Sequence, residues 1–89
     1  MEKVAFKELA ESLRCGREIE FSYNNKQYSI TTSQRHWNFC CDDKLIERVC
    51  PFADKEALVN FVASFCIEGT PIPIIFDEER YDASSVCIL

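Results

Sequence analysis

The stretch from Arg17 to Thr31 constrains the fold more than any other. Ile19, Phe21 and Tyr23 alternate with Glu18, Glu20 and Ser22, and Tyr28 and Ile30 alternate with Gln27 and Ser29 on the far side of Asn24-Asn25. A period of two marks strands buried on one face. Asn is, after Gly, the residue most tolerant of the positive φ that a two-residue type I′ turn requires. The run therefore predicts a tight hairpin with Phe21 opposite Tyr28 and Ile19 opposite Ile30. After the polar break Thr32-Ser33-Gln34-Arg35, the alternation resumes in Trp37, Phe39 and Cys41. With Ile30 opposed to Phe39, a third strand completes an inner wall of Ile19, Phe21, Tyr23, Tyr28, Ile30, Trp37, Phe39 and Cys41. So much aromatic surface has to be covered, because a small sheet exposing it would aggregate.

Helical spacing supplies the cover. Phe6, Leu9, Ala10 and Leu13 share one face of residues 4–14, Lys7, Glu8, Glu11 and Arg14 lie on the other, and Gly16 is a natural stop. Asp54 is a good N-cap for a second amphipathic segment through Ala57, Leu58, Phe61, Val62 and Phe65, read as closed by Gly69. Asp42-Asp43 makes a turn, and Lys44 to Cys50 reads weakly as a fourth, edge strand ended by Pro51. Thr70-Pro71-Ile72-Pro73 cannot be the interior of a helix or a central strand, so Ile74, Ile75 and Phe76 are expected to leave in an extended, edge-like form. The expected fold is α+β, a two-layer sandwich. It comprises an N-terminal helix, an antiparallel three- to four-stranded meander, a second helix packed on the same sheet face and an extended C-terminal tail. The 89 residues make one small domain, 1–89, with 77–89 read as a flexible tail. Apolar content of 47% with only 2 Gly and 3 Pro excludes disordered and low-complexity classes.

Chemistry is harder to find. Thiol catalysis would need a base, and His36 is the single histidine; on one strand it lies about 13 Å from Cys40, too far to serve it. Cys40-Cys41 are adjacent and point to opposite faces, unlike the paired spacing of zinc ligands. Asp77-Glu78-Glu79 with Asp82 lacks the central Gly and spaced oxygens of a calcium loop. With Gly only at 16 and 69, no phosphate cradle can be written. No cofactor and no enzymatic activity are therefore expected. The chain is also short for enclosing a ligand cavity of about 300 Å³. Cys87 stands third from the end, where a prenylation box needs it fourth.

The six cysteines, with an opening that carries no apolar signal region, fit reduced thiols in a cytoplasmic setting better than a disulfide scaffold. No apolar run approaches the roughly 18 residues of a membrane-spanning helix. All of the net charge of -5 falls in residues 45–89, which carry three basic and eight acidic side chains. That balance disfavours nucleic acid and suits a basic protein partner.

The run Glu18-Ile19-Glu20-Phe21-Ser22-Tyr23-Asn24-Asn25-Lys26-Gln27-Tyr28-Ser29-Ile30, followed by Trp37-x-Phe39, resembles an IEFxYNGKxYSI-type hairpin of small uncharacterised α+β proteins of Gram-positive bacteria and their mobile elements. About two thirds of the chain takes part, Ile67-Glu68-Gly69 matching an Ile-x-Gly at the end of a later helix. Asn25 replaces the usual Gly, and Pro71 and Pro73 depart from the pattern. The resemblance implies a hairpin and a packing Trp and brings no catalytic residues.

These features favour a non-enzymatic protein-binding or inhibitor-like module that works through its surface. Candidate partner-binding residues are His36 and Asn38 on the outer sheet face, the acidic stretch Asp77, Glu78, Glu79 and Asp82, and the terminal Leu89. One alternative is a metal- or redox-active thiol protein using Cys residues with His36. A further alternative is nucleic-acid binding through Arg14, Arg17, Lys26 and Arg35. A homodimer formed by edge pairing is compatible with each reading.

Overall fold

A computed structural model describes residues 4–89. The chain runs α1 (Phe6–Arg14), β1 (Ile19–Tyr23), β2 (Lys26–Ser33), β3 (His36–Cys41), β4 (Lys44–Pro51), α2 (Lys55–Ser64), β5 (Cys66–Ile67), β6 (Thr70–Pro71), α3 (Ile72–Asp77) and β7 (Asp82–Ile88). Five strands form one antiparallel sheet in the order β4-β3-β2-β1-β7, and β5 with β6 forms a separate two-stranded ribbon. The predicted register holds: Ile19 faces Ile30, Phe21 faces Tyr28 and Ile30 faces Phe39. Lys44–Pro51 is indeed the edge strand on one side.

Each link of the meander is a two-residue turn with both φ angles positive: Asn24-Asn25 (51°, 64°), Gln34-Arg35 (53°, 65°) and Asp42-Asp43 (50°, 65°). This geometry matches the right-handed twist of the strands it joins. Gln34-Arg35 adopts it without the Asn or Gly that eases the left-handed region, at a cost of about 1–2 kcal/mol per residue. The turn is held from outside by Phe52 N–H, which donates to Arg35 O at 2.8 Å. Arg35→Gly should therefore raise stability by about 1 kcal/mol. A urea midpoint that does not rise would show that the side chain contributes more than its backbone strain costs.

The inner wall is covered by all three helices in one cluster. Leu9 and Leu13 of α1, Leu58, Val59 and Val62 of α2, and Ile72, Ile75 and Phe76 of α3 pack with Ile19, Phe21, Ile30, Trp37 and Phe39 of the sheet. Rings run across the sheet in contact, Tyr81 to Phe76 to Phe21 to Tyr28 to Phe39, and on to Phe61 and Phe65 of the α2 region. The α1 helix ends in a Schellman motif: Arg17 N–H donates to Ser12 O, Gly16 N–H donates to Leu13 O, and Gly16 takes φ +83°. An added Cβ there would meet Phe52 at an ordinary 3.6 Å, so the conformation and not crowding selects glycine. Gly16→Ala is expected to cost about 1–2 kcal/mol in urea unfolding; an unchanged midpoint would refute that assignment.

Three expectations fail here. The α2 helix stops at Ser64 and not at Gly69: Phe65 turns extended, and its carbonyl is taken by Ile72 N–H at 3.0 Å. Glu68-Gly69 (φ 52°, 85°) instead turns the β5–β6 ribbon. Second, Ile74 to Phe76 are helical. Pro71 is the N-cap of α3 and Pro73 occupies its first turn, where no i−4 hydrogen bond exists for proline to break. Third, residues 77–89 are no flexible tail. Asp82–Ile88 returns as β7 beside β1, Ile88 facing Ile19, and Leu89 N–H donates to Glu18 O at 2.8 Å. A bulge breaks the ladder between the Glu20–Cys87 and Ser22–Asp82 pairs, and the Ser85 hydroxyl fills it, accepting from Ser22 N–H at 2.7 Å and donating to Asp82 O at 2.6 Å.

Candidate binding face

The helices all stand on one side, so among the described residues the other face of the five-stranded sheet has no layer over it. Cross-strand pairing arranges that face in rows. Glu20, Ser29, Cys40 and Leu45 form one; Thr31, Asn38 and Arg48 form the next; Ser33 and His36 end the face near Pro51. Toward the other end, the Ser22 hydroxyl donates to Gln27 Oε1 at 2.6 Å. The face is polar and half-buried, with one large apolar side chain, Leu45, 56% exposed at its margin.

Asn38 stands apart. It is 5% exposed and is the one buried polar side chain among the described residues. Its Nδ2 donates to His36 O at 3.3 Å, and its Oδ1 has no partner. An orphaned buried acceptor costs about 1–3 kcal/mol. The β3–β4 ladder shifts register on both sides of it, between Trp37 and Asn38 and between Phe39 and Cys40. Bulges of this kind re-aim side chains and concentrate at functional sites. Nothing in the alternation of His36, Asn38 and Cys40 distinguishes Asn38 from a wet outer-face residue; its burial comes from neighbours on β2 and β4.

The other candidates separate. His36 is at the end of the face, its Nδ1 3.0 Å from Gln34 O. Asp77 Oδ1 accepts from Phe6 N–H at 2.8 Å and so anchors the start of α1. Glu78 pairs with Arg80 at 2.6 Å, and Asp82 accepts from Ser84. Glu79 sits at φ 53°, in the left-handed position that closes α3, where Arg80 N–H donates to Ile75 O and Glu79 N–H donates to Phe76 O. The acidic stretch, read as a solvated docking run, is thus spent largely on terminating α3 and holding α1. Leu89 is 62% exposed and lies directly after the edge strand β7, its N–H bonded to Glu18 O, and not in a free tail.

The four basic residues considered for nucleic acid are dispersed: Lys26 and Arg35 flank opposite ends of β2, Lys26 pairs with Glu68 and Arg14 with Glu56. All six thiols are free, and Cys41 and Cys66 line one cleft of about 220 Å³ beside Tyr28. Among the described residues, no three His, Cys, Asp or Glu side chains are grouped so as to hold a metal ion. The Tyr28 hydroxyl is pushed up to about 12 by burial first and then by Cys41, Glu68 and Asp42. Burial and then Asp54 raise the Cys50 thiol. Glu68 lies lower than an ordinary carboxyl because Asn24 and then Lys26 bond to it.

A concavity of about 630 Å³ at the Asn24-Asn25 end exceeds the expectation for so short a chain, though it is an open cleft and not an enclosed cavity. Most of its polar lining is already engaged: Lys26 and Asn24 with Glu68, Arg80 with Glu78, Asp42 with Gln27 N–H and Asp82 with Ser84. A ligand there would have to break bonds the fold has made. The Asn38 acceptor, by contrast, has no bond of its own to give up.

No family model matches the chain, and no curated protein or solved structure is significantly similar to it. No helix among the described residues is long and apolar enough to cross a membrane. Fold and site together define a small α+β domain with one helix-covered and one open sheet face.

Proposed function

We propose that this protein is a non-enzymatic binding module that docks a protein partner, inhibitor-like, on the open face of its sheet. The observation that carries the reading is Asn38: a buried side-chain acceptor left unsatisfied on the open face. A docked partner supplies the missing donor, and Leu45 at the margin gives it apolar area to cover. The net charge of -5 favours encounter with a basic partner in a reducing, cytoplasmic setting.

The test places bulk on the face without disturbing the strands. Ser29→Tyr with Thr31→Tyr keeps good strand formers at half-buried outer positions. Tagged protein, this double variant, and a Glu11→Tyr control on exposed helix surface are used to capture partners from host lysate under reducing conditions. A partner retained by the parent and control and lost from the double variant supports the reading. Retention by all three, or no stoichiometric partner at all, refutes it.

A second reading rests on the contrast between the two sheet edges. The β4 edge carries Lys44, Glu47, Arg48 and Pro51 and two bulges, all devices that discourage strand pairing. Residues 83–88 of β7 are uncharged and lack proline. Pro71 and Pro73 lie outside the main sheet and protect neither of its edges. A homodimer joined through β7 would appear in sedimentation as a concentration-dependent mass abolished by Ser84→Lys.

A further inference from the structure

Resting on the open-face reading, we infer that the hollow at Asn38 is an anchoring site for a primary carboxamide, an asparagine or glutamine side chain of the partner. The hollow measures about 220 Å³, the scale of one side chain, and is lined by Asn38 with Thr31, Asp43, Leu45 and Arg48 among its walls.

The chemistry of those walls selects the guest. Asn38 Oδ1 demands a donor, and its amide cannot flip to escape that demand, because Nδ2 already donates to His36 O and a flip would set oxygen against oxygen. Arg48 is the reverse: one guanidinium nitrogen reaches Gln34 Oε1 at 3.4 Å, and a planar fork with five N–H groups leaves others to donate. Acceptor and donor are brought to the same cross-strand row by the pairing of Asn38 with Arg48. An ammonium or guanidinium would meet Asn38 and Asp43 favourably but be repelled by Arg48, and a carboxylate would suffer the opposite conflict. A neutral group that donates at one end and accepts at the other satisfies both walls at once. A carboxamide does so on an apolar stem that can lie along exposed Leu45. Entry requires a wall to swing aside, since Oδ1 itself is covered; Arg48 is exposed, and its swing gives up the 3.4 Å bond to Gln34 Oε1.

The test uses the whole protein labelled with nitrogen-15 and three probes of similar size: propionamide, propionate and propylammonium. Propionamide is expected to give saturable shifts at the Asn38 side-chain amide and at the Thr31 and Leu45 backbone, with the two charged probes at least about tenfold weaker, the worth of one good hydrogen bond. Asn38→Leu should abolish the effect. Because that buried substitution could disturb the sheet, Arg48→Met, at an exposed position, provides a second arm and should also weaken propionamide about tenfold. Equal response to all three probes, absence of saturable shifts, or binding that survives both substitutions would overturn the assignment. The two proposals fail separately: partner capture with a silent propionamide titration removes the carboxamide anchor alone, and a specific titration without a partner removes only the docking role.

Discussion

Phe39→Ala is expected to lower stability by about 3–5 kcal/mol, the range for emptying a fully buried aromatic site. Phe39 is wholly buried at the centre of β3, where its ring meets Tyr28 of β2 at 5.8 Å and Phe61 and Phe65 at 6.1 and 4.9 Å. It is the point at which the sheet's aromatic row joins the α2 side of the core. A domain of this size holds only about 5–10 kcal/mol in total, so the variant should be partly unfolded at physiological temperature, with Tm lower by about 15–30 °C. Urea unfolding followed by Trp37 fluorescence reads the loss. Phe39→Leu, which leaves a smaller void, should cost clearly less. A loss below about 1.5 kcal/mol for Phe39→Ala would mean that the ring does not couple the two layers.

Stability should also fall steeply in alkali, through two buried groups. Tyr28 keeps its proton in the fold to about pH 12 against an ordinary 10.0. Between those limits the unfolded chain releases a proton that the folded chain holds, so rising pH favours unfolding. The contribution is complete below pH 10 and lost by about 12, a change of about 2–3 kcal/mol. Cys50, raised from 9.0, acts in the same direction and begins earlier. Comparing urea midpoints at neutral pH and at pH about 11 for the parent and Tyr28→Phe isolates the tyrosine from general lysine and tyrosine titration. The parent should lose more than the variant; equal losses would show that Tyr28 ionises without penalty.

Part of this architecture was legible in the residues. Alternation in Ile19 to Tyr23, Tyr28 to Ile30 and Trp37 to Cys41 led to the observed register, because a one-residue slip would turn every apolar side chain to water. Asp54 caps α2 through Ala57 N–H as its residue type suggests. The C-terminal quarter departs from its sequence pattern for a definite reason. Two prolines argue against a helix interior, yet both lie at the start of α3, where the first-turn N–H groups have no helical partner to lose. Six residues are too few for periodicity to show, and the helix stands because Ile72, Ile75 and Phe76 bury into a core built by other segments.

The candidate site was legible only as a face. That His36, Asn38 and Cys40 share the outer side follows from a period of two. That Asn38 alone is covered, with one amide oxygen unpaired, depends on Thr31 and Arg48 arriving from β2 and β4 and on two bulges in the β4 pairing. Likewise, Asp77, Glu78, Glu79 and Asp82 read as a charge run along the chain but act in three dimensions as caps and ties.

The sequence by itself determined the meander, its register, the apolar wall and the first two helices that cover it, since these follow from local periodicity and turn chemistry. Tertiary structure decided that the last strand returns beside β1, that a proline-led segment becomes helical, and which polar group on the open face lacks a partner. Those outcomes depend on contacts between residues far apart in the chain, whose energies no local pattern encodes.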